Sequence, residues 1–196
     1  MQRRPFVFAL GVALMVGGGC QLPKNHPAAA APKAEQIRAN CYSLLHDLLN
    51  QQKNVDKLLL IKLESIELNR LIKTIASASG IGAKRLEEFA THDGSINLDQ
   101  LSLPPGEVAT RDAIASTKTK ELLTPFSSYF ELNLLHTQAE ALSYAWHLSK
   151  VAAANEPQPE RAHYLAGLSE EMKNLHHQTM SLIRSRSTTS RQKGAS

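Results

Sequence analysis

The sequence predicts an all-α fold: an up-and-down-like helical bundle of about four main antiparallel helices, with a disordered N-terminal tether and a disordered C-terminal tail. Three observations lead there. Apolar residues recur at spacings of three, four and seven along four long stretches. Short segments rich in Pro and Gly separate those stretches. No run of alternating apolar and polar residues reads as a strand.

The first helical stretch begins at Ala34. Ile37, Cys41, Leu44, Leu45, Leu48, Val55, Leu58, Leu59, Ile66, Ile72 and Ile75 carry its period, and neither Pro nor Gly interrupts Ala34 to Ser79. It reads as one very long helix or as two, broken near Gln52–Asn54. The run LLLIKL at 58–63 is too apolar for one exposed side and predicts packing on more than one face. Ser79-Gly80-Ile81-Gly82 predicts a helix stop, because two glycines are costly inside a helix. A short helical turn over Ala83 to Phe89 and a turn at His92-Asp93-Gly94 follow. Leu101 to Gly106 is a loop. The next helix runs from about Glu107 to Leu123, with Glu107 and Asp112 early and Lys118 and Lys120 late, as the helix dipole favours.

Thr124-Pro125 opens a further helix, with Phe126, Tyr129, Phe130, Leu134, Ala141, Ala145, Leu148 and Val151 as its stripe. Asn155 to Pro159 breaks it. The last helix starts near Glu160, and Leu165, Leu168, Met172, Leu175, Thr179 and Leu182 form a heptad seam. Four domain segments result: 1–19 as a signal peptide, 20–33 as a tether, 34–184 as the bundle, and 185–196 as a disordered basic tail.

Charge excludes one class of function. Between Gln21 and Ile183 there are 16 basic and 18 acidic side chains, so the folded body is near neutral. Arg184, Arg186, Arg191 and Lys193 concentrate the excess positive charge at the end. A nucleic-acid-binding domain needs a basic face on its fold, and none is read here.

The N-terminus tells where the protein acts. Arg3 and Arg4 precede the apolar run Phe6–Val16, which is too short to span a bilayer, and Gly17, Gly18, Gly19 and Cys20 follow. This pattern resembles a bacterial lipoprotein signal. The resemblance implies cleavage between Gly19 and Cys20, a diacylglycerol and an N-acyl chain on Cys20, and anchoring to the outer membrane facing the periplasm. Gly17 departs from the aliphatic residue usual in such signals. An ordinary signal peptide, with Cys20 incidental, is the plainer alternative. Several acyl chains anchor stably where one is marginal. Gln21–Lys33, with three prolines, is an extended tether. With Cys20 lipidated, Cys41 has no partner in the chain; it reads as a small buried hydrophobe.

Catalytic and metal motifs are missing from the sequence. No His-Glu-x-x-His, Gly-x-Ser-x-Gly, paired Cys-x-x-Cys or complete phosphate loop occurs. Gly80-Ile81-Gly82 before Lys84 lacks the strand and further glycine of a phosphate loop. His136 and His147 lie on one helix three turns apart, about 16 Å, too far to share a metal. His136 and Glu140 stand at i and i+4 and can face one cavity. His176 and His177 flank the seam residue Leu175; surface or rim positions explain them as well. The Glu-x-x-His motif of di-iron bundles is absent: Glu67, Glu140 and Glu171 are followed three on by Arg70, Ser143 and Asn174. Trp146, Tyr144, Tyr129 and Phe130 share one helix and serve a core or a ligand groove equally well. No metal, cofactor or catalytic residue is expected.

A further set of features spans Glu64 to Ile183: Glu64 with Leu68, Phe89-Ala90, Leu103-Pro104, Phe130-Glu131 with Leu134 and Gln138, and Leu175 with His177. Their order resembles a bacterial envelope family of unknown function with a ferritin-like four-helix bundle, whose members often carry signal or lipoprotein sequences. The family's Asp-His after the Phe-Ala is missing here, and its later helix His is replaced by Leu142. Together these readings lead to a membrane-anchored lipoprotein that is not an enzyme. It would bind an envelope protein partner or scaffold the envelope. The alternative is a ferritin-like periplasmic binder of a metal or small ligand.

Overall fold

The computed structural model describes residues 34–60, 65–99, 103–123 and 130–193. The expected signal peptide 1–19, Cys20 and its tether, residues 61–63 of the LLLIKL run, Glu64, Thr124-Pro125, Phe126 and Tyr129 lie outside them. The described residues form five α-helices and a 3-10 helix, with no strand among them. The helices are α1 (Ala34–Gln52), α2 (Ile66–His92), α3 (Pro105–Leu123), α4 (Phe130–Asn155) and α5 (Pro159–Lys193). The 3-10 helix covers Val55–Leu60.

The first stretch is two helices, parted at Gln52–Asn54. Lys53 still donates to the Leu49 carbonyl at 2.9 Å, and the chain then tightens into the 3-10 turn. Leu58 and Leu59 are half-buried against the core. Ser65 caps α2: its hydroxyl accepts from the Leu68 amide at 3.3 Å. At the other end the Asp93 amide donates to the Phe89 carbonyl at 3.0 Å and closes the helix at the expected turn.

The expected stop at Ser79–Gly82 does not occur. α2 passes through both glycines and takes in Ala83 to Phe89. Gly82 is buried, and a Cβ there would stand 3.0 Å from Leu49 Cδ1 and 3.4 Å from Leu168 Cδ1. Its bare backbone lets α1 and α5 close onto α2, and that burial outweighs the roughly 1 kcal/mol propensity penalty of glycine in a helix.

Four helices form the bundle: α1 and α5 each pack on both α2 and α4, so α1 and α5 are diagonal, as are α2 and α4. Contacts fix the directions. Arg38 meets Ser95 while Lys53 meets Gly80, so α1 and α2 are antiparallel. Arg186 meets Glu67 while Tyr164 meets Phe89, which sets α5 against α2. Arg186 also meets Glu131, and Ser169 meets the Trp146 carbonyl, which sets α5 against α4. Every neighbouring pair is therefore antiparallel, and the order is up, down, down, up. The up-and-down order expected from the sequence is corrected here. Because α2 and α4 run the same way, the chain must cross the length of the bundle between them, and α3, packed on α4, lies in that crossover. Pro105 sits at the first position of α3, where its missing N–H costs nothing.

The core is continuous and apolar, from Leu45, Leu48 and Leu49 through Leu68, Ile72, Ile75 and Leu86 to Phe130, Leu134, Leu142, Leu165 and Met172. The α5 seam is buried at Leu165, Leu168, Met172, Leu175 and Thr179; Leu182 is half-buried and Ile183 takes the buried position. Val151, placed on the α4 stripe by the sequence, is 42% exposed.

Polar clusters tie both ends. At the Ala34 end, the Glu156 side chain is fully buried. It accepts from Tyr42 Oη at 2.7 Å, Arg161 at 2.8 Å and the Gln158 amide at 3.0 Å, with Arg38 at 3.8 Å. Arg161 also pairs with Asp93 at 2.9 Å. At the opposite end Arg186 donates to Ser65 Oγ at 2.6 Å, Glu67 at 3.0 Å and Glu131 at 3.1 Å. α5 itself continues past 184, as far as Lys193. Neither Pro nor Gly lies between Arg184 and Lys193, and Arg186 finds acids on α2 and α4.

Candidate functional site

The α4–α5 surface carries an open groove of about 490 Å³. That lies within the roughly 300–1,000 Å³ range of small-molecule sites. Its floor follows from α4 periodicity. Ala139 and Ser143 are small residues four apart, between the larger His136, Glu140, Tyr144 and His147. From α5, His176 and Met180, also four apart, supply the facing wall. The opposite face of α4, with Leu134, Leu142, Ala145 and Ser149, is turned into the core. The groove exists because large side chains flank two small ones where the helices meet.

Its electrostatics are set by imidazoles. His147 Nδ1 lies 2.7 Å from the Ser143 carbonyl. A carbonyl only accepts, so Nδ1 carries the proton, and in the neutral ring Nε2 is left as a lone-pair acceptor. Burial, reinforced by His177 and His147, pushes the His176 pKa below its usual value and favours the neutral ring. His176 Nδ1 is buried without a hydrogen-bond partner. The Trp146 ring lies beside His147, tilted by 40° with centroids 4.4 Å apart, and 6.3 Å from both His176 and His177. Lys173 Nζ approaches the Trp146 ring at 5.8 Å, and the Arg111 guanidinium approaches Tyr144 at the same distance.

The structure brings His136 and Glu140 to this one groove, the pairing their i, i+4 spacing predicts, and adds His147 and His176. His177 is exposed beside Trp146. Sequence reasoning set His147 aside on its distance from His136. The signal that would have found it is the stripe 136, 140, 143, 147, which returns to one helix face at every step. Phe130 is core, while Tyr144 and Trp146 are half-buried around the groove, so the aromatics divide between the two roles. Among the described residues no group of three or more His, Cys, Asp or Glu is arranged to hold a metal ion.

The residues that carried the family resemblance are mostly structural. Leu68, Phe130, Leu134, Gln138 and Leu175 are buried, and Glu131 belongs to the Arg186 cluster; Leu142, which departs from the family pattern, is buried too. Cys41 is a buried free thiol, and burial pushes its pKa up to about 11. It stays protonated at neutral pH and is a poor nucleophile. A second, smaller cavity of about 180 Å³ lies between the end of α1, the 3-10 helix, α3 and α4. Gln51, Gln52 and Gln138 line it, each with an amide oxygen that is buried and unpaired.

No described helix is long and apolar enough to cross a membrane. No family model, curated protein or solved structure matches the chain.

Proposed function

We propose that this chain is a bacterial lipoprotein held at the periplasmic face of the outer membrane through Cys20, and that its bundle is a non-enzymatic binding or scaffolding component of the envelope. The observation that carries the binding half is the α4–α5 groove, open to solvent and flanked by aromatic and imidazole rings. Such a groove suits a small ligand or a few side chains of an envelope protein partner. The anchor half rests on the signal pattern ending at Cys20 and on the Pro-rich segment after it. α1 begins at the end of the bundle clamped by Glu156, so the tether enters there. The groove begins at His147, about two turns along α4 from that end.

One observation favours binding over catalysis: the described cysteine, Cys41, is a buried, protonated thiol. The test is the intact mass of membrane-extracted protein beside a Cys20→Ala variant, followed by cross-linking in the envelope. A mass matching Cys20–Ser196 with three acyl chains, lost in the variant, supports the anchor. An unmodified soluble chain starting elsewhere rejects it.

The second reading is a ferritin-like periplasmic binder of a metal or small ligand. It is favoured by the single crossover between α2 and α4, a connectivity that ferritin-like bundles also use. Metal analysis of the purified protein separates the two: a stoichiometric transition metal selects the second.

A further inference from the structure

Resting on the reading of the α4–α5 groove as a binding site, we infer that the groove selects an organic cation: an ammonium group on an apolar or aromatic stem, with the charge at Glu140 and the stem over Tyr144, Ala139 and Met180. Charge complementarity carries the inference. Glu140 is exposed at the groove and makes no hydrogen bond or ion pair with another described residue. The two cations nearest the surrounding rings are each matched within their own helix, Arg111 by Glu107 and Lys173 by Glu170. Among the described residues that line the groove, Glu140 carries the charge left unmatched.

The polar atoms around it point the same way. His147 Nδ1 is taken up by the Ser143 carbonyl, so in the neutral ring Nε2 faces a ligand as an acceptor. An anion in the groove would meet a carboxylate and a lone pair. An ammonium would meet two acceptors. The lining also offers the Tyr144 ring, which the Arg111 guanidinium already approaches at 5.8 Å, and the polarisable Met180 thioether.

The chain contains one tryptophan, Trp146, packed on a groove wall, so its fluorescence reports occupancy directly. The experiment titrates detergent-extracted full-length protein at neutral pH with 2-phenylethylamine, 2-phenylethanol and 3-phenylpropionate, which share a ring and differ in head-group charge. The expected result is saturable quenching by the amine, binding about twofold to fivefold weaker for the alcohol, and none for the acid. Glu140→Gln should bring the amine down to the affinity of the alcohol with an unchanged melting temperature. Saturable binding of the acid as strong as that of the amine would overturn the cation class while leaving the groove a site. An amine affinity unaffected by Glu140→Gln would also overturn it. Saturation by none of the three would remove the groove proposal, while the Cys20 anchor would stand on its own mass measurement.

Discussion

Tyr42 and Glu156 lie 114 residues apart in sequence, and a 2.7 Å hydrogen bond between them closes the end of the bundle where α1, α4 and α5 meet. Both are buried, so the tyrosine hydroxyl has no water to turn to and the carboxylate depends on its protein partners. Tyr42→Phe removes one charge-assisted bond and leaves Arg161 and the Gln158 amide in place. A loss of about 1.5–3 kcal/mol is expected. Glu156→Gln strips the counter-charge from Arg161 and Arg38 together and should cost about 3–5 kcal/mol. Urea unfolding monitored by circular dichroism measures both. Equal losses for the two variants would show that the hydroxyl, rather than the carboxylate, organises the cluster.

The two glycines of α2 should respond oppositely to added volume. A Cβ at Gly80 meets only Lys53 Cβ at 3.6 Å, an ordinary contact. Gly80→Ala should stabilise by about 0.5–1 kcal/mol through helix propensity. At Gly82 the same atom presses on Leu49, and a larger side chain would also meet Leu168. Gly82→Val should lose about 1–3 kcal/mol by overpacking. Thermal melts of the two variants give the signs directly; a stable Gly82→Val protein would mean that α1 and α5 do not close on α2 as described.

This pair also shows where the sequence is legible. Period and breakers were enough for the class and for the α5 seam, because each is a local property; over Ala34–Ser79, where neither Pro nor Gly stands, they left one helix or two open, and the structure parts the stretch at Gln52–Asn54. Gly80 and Gly82 read locally as a stop. Their role is set by Leu49 and Leu168, which come from elsewhere in the chain, and only tertiary packing reveals it. The α2–α4 crossover was hidden for a related reason: helix direction depends on which partners are chosen, as Arg186 chooses Glu67 and Glu131. In the groove, Glu140 with His136 was readable from i, i+4 spacing. His176 was not, since it arrives from another helix.

Acid should unfold the protein in two stages. The His176 pKa is depressed in the fold from 6.5, chiefly by burial and then by His177 and His147. Below pH 6.5 the unfolded chain binds a proton that the native ring resists, so stability falls as pH drops through that window. Lower down, Glu156 and Asp93 contribute. Burial alone would raise Glu156, but the Arg161 guanidinium, the Gln158 amide and the Tyr42 hydroxyl outweigh it and hold its pKa below 4.5. Bonds from the Ser95 hydroxyl and amide, assisted by Arg161, hold Asp93 below 3.8. Both contributions are complete above those values and vanish as pH falls through the native ones. Asp47 opposes them: burial raises its pKa above 3.8, so acid favours its native form. The urea midpoint against pH should show a first decline that His176→Gln removes and a second that it leaves. A single transition below pH 4 in both proteins would exclude the histidine contribution.

At the far end of the bundle, Ser65 and Arg186 should prove energetically coupled. The Ser65 hydroxyl caps α2 by accepting from Leu68 and donates to Glu131 at 3.0 Å. Arg186 reaches the same hydroxyl and the same carboxylate. Ser65→Ala alone should cost about 1 kcal/mol as a lost cap. Arg186→Ala alone should cost up to about 1 kcal/mol, since its side chain is one-third exposed and its pairs are partly screened. Each single change already weakens the junction at Glu131, so the double variant should lose less than the two together, by about 0.5 kcal/mol or more. The double-mutant cycle tests whether α5 is held past Ile183. Strict additivity would mean that Arg186 does not engage α2 and α4 in solution, and that the helix beyond Ile183 gains nothing from the bundle.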